Sequence, residues 1–306
     1  MLIKSRYESA ELKLFRSLNN RMNLSEKDFA TYRSLEKGFI GEKKFDEWTE
    51  QLPDNFLIIN DLLLECNNTT FQIDSVVIAS GPTVFIFEVK NFEGDYVVDV
   101  EEWSTLYGTN INNPIHQLKR CETLLCKLLK QLGINPNIVT NVVFINPEFT
   151  LYNSPLDLPI IFPTQIKRFM EKLKLKSAKL RKNEIELAKL LVSMHKTESP
   201  YKRTPPYSYE LLQKGIPCVN CQSFNLYYTE KMIVCENCRQ KEIAKAAILR
   251  SVEEFKLLFP DKRITTNGVY EWCNLNNSKK TIFRILSTNF KQVGQGKSAY
   301  FIHKGQ

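Results

Sequence analysis

No apolar stretch in the 306 residues reaches the roughly 18 that a membrane-spanning helix needs. The opening residues, MLIKSRYESAELK, lack the apolar core of a secretory signal. The expected compartment is therefore the cytoplasm, and no membrane is expected as a partner. Internal repeats and low-complexity tracts are missing too, which excludes a solenoid or fibrous architecture. What is present is a chain that is 43% hydrophobic, enough for a sizeable core and too long for one average domain. A net charge of +8 permits a nucleic-acid partner without requiring one. Eight cysteines in a reducing compartment are expected as thiols or metal ligands, not as disulfides.

The chain is organised around FQIDSVVIASGPTVFIFEVK, residues 71–90. Its apolar runs, 73–79 and 84–89, flank the turn formers Ser80, Gly81 and Pro82 and predict two adjacent buried strands. Three charged residues interrupt them: Asp74, Glu88 and Lys90. Side chains alternate along a strand, so Glu88 and Lys90 share a face. Burying such charges is costly unless a partner or metal compensates. Two carboxylates and an ammonium converging at a strand end would suit magnesium-dependent phosphodiester chemistry.

Residues 7–35 carry two short amphipathic helical patterns, expected to pack on the domain that follows. Residues 37–52 predict a helix entered through Gly38 and Gly41, with Phe45, Trp48 and Leu52 as its buried stripe. Glu42 at the stripe's edge is either a solvated partner of the helix dipole or a site residue. Strands are expected at 56–64, 91–99 and 141–145. Asn113-Pro114 opens a long helix with an apolar face of Cys121, Leu124, Leu125, Leu128, Leu129 and Leu132. Gln117 projects from that apolar side, as a satisfied core amide or as a site residue. Helices follow at 164–175 and 184–195, which implies an α/β domain around a mixed sheet.

Cys218, Cys221, Cys235 and Cys238 form paired CxxC knuckles at tetrahedral-zinc spacing, with short strands of a ribbon between them. Four thiolates close the metal's shell, so this zinc is structural. From residue 242 the pattern is that of a winged helix-turn-helix, with helices at 244–259, 266–275 and 279–289. The third is expected to bury Ile282, Phe283, Ile285 and Leu286 and to expose Lys279, Lys280, Thr281 and Arg284 to DNA, with Lys297 in the wing. A winged helix used for protein contact is the alternative.

These motifs resemble those of the nuclease-related domain (NERD) family, a branch of the PD-(D/E)XK nuclease-like proteins. The matching stretches are GFIGE at 38–42, QID at 72–74, EVK at 88–90, Trp103, and NPIHQ at 113–117. The resemblance implies a restriction-endonuclease-like α/β domain followed by a zinc ribbon and a winged helix-turn-helix. It makes Asp74 and Glu88 ligands of Mg²⁺ or Mn²⁺, Lys90 the catalytic lysine, Glu42 a metal or structural ligand, and Gln117 the helix glutamine of the site. The ribbon departs from the usual pattern in having Gln222 and Arg239 where glycine commonly follows the second cysteine. The expected organisation is an N-terminal helical segment (1–36), the nuclease-like domain (37–196), a linker (197–214), the zinc ribbon (215–241) and the winged helix (242–306). The implied function is metal-dependent hydrolysis of DNA; the alternative is a catalytically inactive DNA-binding or regulatory protein on the same fold.

Overall fold

Within the N-terminal segment, β1 (Leu2–Lys4) is a strand, pairing parallel with β2 (Leu57–Cys66). Two helices lie between them, α1 (Ala10–Arg21) and α2 (Glu26–Thr49). These assignments come from a computed structural model that describes all residues except 82, 100–101, 177, 198–203, 230, 276–278 and 305–306. The chain divides into two compact units: Met1–Glu8 with Arg33–Lys202, and Ser9–Tyr32 with Arg203–Gln306.

The first unit is built on a six-stranded sheet. β2 turns through Asn67 and Asn68, both at positive φ, into β3 (Thr69–Ala79). That pair of left-handed residues is what a tight hairpin requires. β3 runs antiparallel to β4 (Thr83–Lys90). A smaller sheet holds β5 (Gly94–Asp99), β6 (Glu102–Thr105) and β7 (Asn110–Ile111). α3 (Pro114–Gln131) follows, its first turn capped by the Asn113 side chain, which accepts from the Ile115 amide at 2.9 Å. β8 (Asn137–Phe144) then pairs parallel with β4. β9 (Phe149–Tyr152) joins the small sheet and β10 (Ile160–Ile161) the large one, before α4 (Ile166–Leu175) and α5 (Lys182–Ser193). The large sheet is ordered β1-β2-β3-β4-β8-β10 and is mixed.

Alternation along β4 explains the layering. Val84 and Ile86 join a core with Leu118 and Leu125 of α3 and Leu187 and Leu191 of α5. Phe85, Phe87 and Val89 join another with Phe45 of α2 and Met170 and Leu173 of α4. Helices therefore cover both faces, as parallel strands buried on two sides demand. α2 passes through Gly38 and Gly41 instead of starting at them. A Cβ at Gly41 would lie 2.5 Å from the Asn91 Cβ, so the glycine is needed for close approach of helix to sheet.

The second unit contains α1, a three-stranded antiparallel sheet of β11 (Leu226–Tyr228), β12 (Met232–Cys235) and β13 (Lys241–Ile243), then α6 (Ala244–Leu258), α7 (Thr266–Cys273) and α8 (Lys279–Asn289). A hairpin of β14 (Lys291–Val293) and β15 (Tyr300–Ile302) completes it. Residues 9–32, expected to pack on the domain that follows them, group with these elements. Leu18 is fully buried with Leu212, Phe255, Leu258 and Trp272. Arg21, also buried, pairs with Glu254 at 2.6 Å and lies over the Trp272 ring. The end of the expected linker is part of the same core: Leu212 is buried and the Tyr207 hydroxyl donates to the Leu258 carbonyl. Phe283, expected inside, is 44% exposed, because Ile282, Ile285 and Leu286 already form the inward stripe of α8 and Phe283 falls beside it. Leu132, past the end of α3, is also exposed.

Candidate active site

The β3–β4 ladder ends at the pair Ser75 and Phe87. Asp74 and Glu88, next in register, stand where the two strands part. The β2–β3 ladder breaks at the same level: it pairs Asn60 with Ser75 and Leu62 with Ile73 but skips Asp61 and Asp74. Asp61 takes φ +55 there, and the inward positions shift phase, so that Ile59 and Leu62, like Val76 and Ile73, face one core. A sheet that opens at two neighbouring ladders leaves a cleft of about 330 Å³. Glu42, Asp74, Glu88, Lys90 and Gln117 all line it.

Within the cleft Lys90 Nζ donates to Glu88 Oε1 at 2.6 Å and to Gln117 Oε1 at 3.0 Å. Gln117 is exposed to the cleft, so it is not a core amide. Asp74 Oδ2 accepts from the Val89 amide at 2.8 Å, supplying the acceptor that the parted ladder no longer offers. Asp74 and Glu88 are both buried. Burial first, then the Asp74 charge, pushes the Glu88 carboxyl up to about 8. Glu42 reaches about 8 for the same two reasons. Burial raises Asp74 as well, against the pull of Lys90 and the Val89 amide. For Lys90, burial favours the neutral amine, but Glu88 and Asp74 outweigh it and the ammonium is held above its ordinary value. Three carboxyl groups thus share a cleft whose burial disfavours their charged forms.

Arg6 is the residue that sequence reasoning missed. Its guanidinium, 2% exposed, donates to both oxygens of Asp46 at 2.9 and 3.0 Å, to Glu42 Oε2 at 2.5 Å and to the Asp74 carbonyl at 2.6 Å. Lys4, one strand step earlier, donates to the Asn60 and Asp61 carbonyls. β1 and the residues just after it thus lay two cations along the broken ladder. The available signal was the spacing of Glu42 and Asp46, one helical turn apart on α2. Asn91 belongs here too: its amide donates to the Lys37 carbonyl at 2.7 Å and ties α2 to the end of β4, leaving its Oδ1 buried without a partner among the described residues.

In the second unit, the sulfurs of Cys218, Cys221, Cys235 and Cys238 lie within 4.8 Å of one another. Two of the separations are 3.6 Å (Cys218 to Cys238) and 3.5 Å (Cys221 to Cys235). A tetrahedron of thiolates about 2.3 Å from zinc has edges of about 3.8 Å, so the four are placed to hold one such ion. Asn220 and the Gln240 amide hold Cys238 down to about 6, while Cys221, despite the Ser223 amide, is pushed up to about 12 by burial and the other thiols. Gln222 and Arg239 each take φ near +60, the conformation for which glycine is the usual choice. Among the described residues no carboxylate cluster is gathered as tightly as these cysteines, Glu42, Asp74 and Glu88 included. Of the residues expected to face DNA, Lys279, Lys280 and Arg284 are exposed on α8 and Thr281 is half-buried. The Lys297 side chain lies outside the described residues.

Residues 37–145 match the family model of the nuclease-related domain. No curated protein and no solved structure matches the chain significantly. The matched span contains Glu42, Asp74, Glu88, Lys90 and Gln117, and Arg6 lies outside it. No helix among the described residues is long and apolar enough to cross a membrane.

Proposed function

We propose that this nuclease-related domain is a metal-dependent deoxyribonuclease, and that the C-terminal unit engages DNA through a zinc ribbon and a winged helix. The observation that carries the reading is the convergence of Asp74, Glu88 and Lys90 on one cleft at the parting of β3 and β4. Asp74 Oδ1 and Glu88 Oε2 are hard oxygen donors with no hydrogen bond among the described residues. They suit Mg²⁺ or Mn²⁺, and a divalent cation would offset the burial that raises both carboxyls and the Asp74 charge that raises Glu88 further. When bound, such an ion would polarise the scissile phosphate and acidify an attacking water.

The protein's own groups do the rest. Lys90, kept as an ammonium by its carboxylate neighbours, neutralises charge developing on the phosphate instead of accepting a proton. Gln117 orients that ammonium from α3. Glu42, fixed by Arg6, limits the other side of the cleft.

The test is incubation of the full chain with labelled duplex and single-stranded DNA, with Mg²⁺ or with chelator. Cleavage that needs the ion and is lost in Lys90→Ala and Glu88→Gln is the expected result. Cleavage of neither DNA with Mg²⁺ or Mn²⁺ would leave a DNA-binding or regulatory protein on a nuclease fold. For DNA engagement, Lys280→Glu with Arg284→Glu should weaken binding and lower the salt slope by about one for each phosphate no longer neutralised.

A further inference from the structure

A second groove, of about 310 Å³, lies in the C-terminal unit between the three-stranded sheet and α8. Lys231 is the residue before β12, Lys245 comes from the first turn of α6 and Arg284 from α8, and all three line it. They are exposed, and among the described residues no ion pair or side-chain hydrogen bond occupies their charged ends. Among the described residues no Asp or Glu lines the groove. Three cations around one concavity, with no acid beside them among the described residues, favour an anion there.

Its floor is of another character. Ile243, Ala244 and Ile285 form it, with Tyr228 at the side, and Ile243 is 59% exposed although it ends a strand. Phosphates of an intact duplex would use the lysines and the arginine but leave that floor in water, because duplex bases are stacked inside the helix. An unpaired nucleotide uses both: its phosphates meet the cations and its base covers the apolar residues.

We propose that this groove takes one unpaired nucleotide of a DNA strand, with the base over Ile243 and Ile285 and the flanking phosphates on Lys231, Lys245 and Arg284. The inference rests on the reading of the C-terminal unit as a DNA-binding module, and it names the substrate class: duplex with a single-stranded segment, in preference to blunt duplex.

The experiment is fluorescence anisotropy of the full chain, without added divalent metal, on a labelled blunt duplex and on the same duplex carrying a single-stranded overhang. The overhang should bind several-fold tighter, because its base covers apolar surface that the blunt duplex leaves in water. Ile243→Asp should abolish that ratio. Ile243 is also the residue that caps α6, without a side-chain hydrogen bond, and Asp is a favoured cap, so the variant is expected to fold. Lys231→Ala with Lys245→Ala should reduce the ratio independently. Equal affinity for the two DNAs overturns the inference and leaves the DNA-binding reading standing, as does a preference that survives in both variants. Binding of neither DNA by the wild-type chain overturns the DNA-binding reading itself, and this inference with it.

Discussion

Arg6 Nη2 donates to the main-chain oxygen of Asp74 at 2.6 Å while the same guanidinium grips Asp46 and Glu42 of α2. One side chain just past the N-terminal strand therefore fixes the distance between the helix and strand that supply the cleft's carboxylates. The planar fork suits this task because its donors keep fixed directions.

Arg6→Met should destabilise the first unit by about 3–5 kcal/mol, the cost of leaving buried carboxylates without their cation. Adding Asp46→Asn should recover part of the loss by removing one stranded charge. Urea unfolding of the single and double variants measures both effects. A double variant no more stable than Arg6→Met would mean that packing, not charge, is what Arg6 contributes.

Asp74 serves as a buried charge and as the acceptor for the Val89 amide, and two substitutions separate these roles. Asp74→Asn removes the charge and keeps an oxygen in place. Asp74→Ala also strands the amide, at about 1–3 kcal/mol. Without metal, Asp74→Asn should melt near or above wild type and Asp74→Ala clearly below it. Both should lose any metal-dependent cleavage. Equal melting temperatures for the two variants would remove the Val89 bond from the account.

The raised carboxyls make stability depend on pH. Glu42 and Glu88 stand at about 8 in the folded chain against an ordinary value of 4.5. Between those values the folded state holds more protons than the unfolded one, so stability falls as pH rises. Their contribution is complete below pH 4.5 and lost through pH 8. A pH series of melting temperatures without divalent metal should show that decline, and Mg²⁺ should offset it increasingly toward high pH. The double variant Glu42→Gln, Glu88→Gln should flatten the curve; an unchanged slope would count against burial of these charges.

Gln222 and Arg239 occupy left-handed backbone at φ +60 and +61, where a side chain costs roughly 1–2 kcal/mol. Gln222→Gly and Arg239→Gly should each stabilise the four-cysteine region by up to about 1 kcal/mol once glycine's greater unfolded entropy is subtracted. Elemental analysis should find one zinc per chain, lost more slowly to a chelator in the glycine variants. Cys218→Ser and Cys235→Ser should release it. Faster loss of zinc from the glycine variants would contradict the strain argument.

Local pattern was enough for much of this protein. The apolar runs 73–79 and 84–89 lie inside β3 and β4, and Asn113-Pro114 starts α3. The CxxC spacing brings four sulfurs together. Glu88 and Lys90 meet because two residues on one strand share a face wherever that strand sits. Each of these follows from backbone geometry over a few residues. The surroundings of Asp74 do not, because alternation shifts phase at Asp61 and Asp74, where Lys4 and Arg6 donate to the main-chain oxygens. The partners of α1 do not follow either: Leu18 meets Phe255 and Trp272 across more than two hundred residues. Such pairings are decided by which apolar surfaces and charges find each other in the folded chain, and no local window contains both sides of that choice.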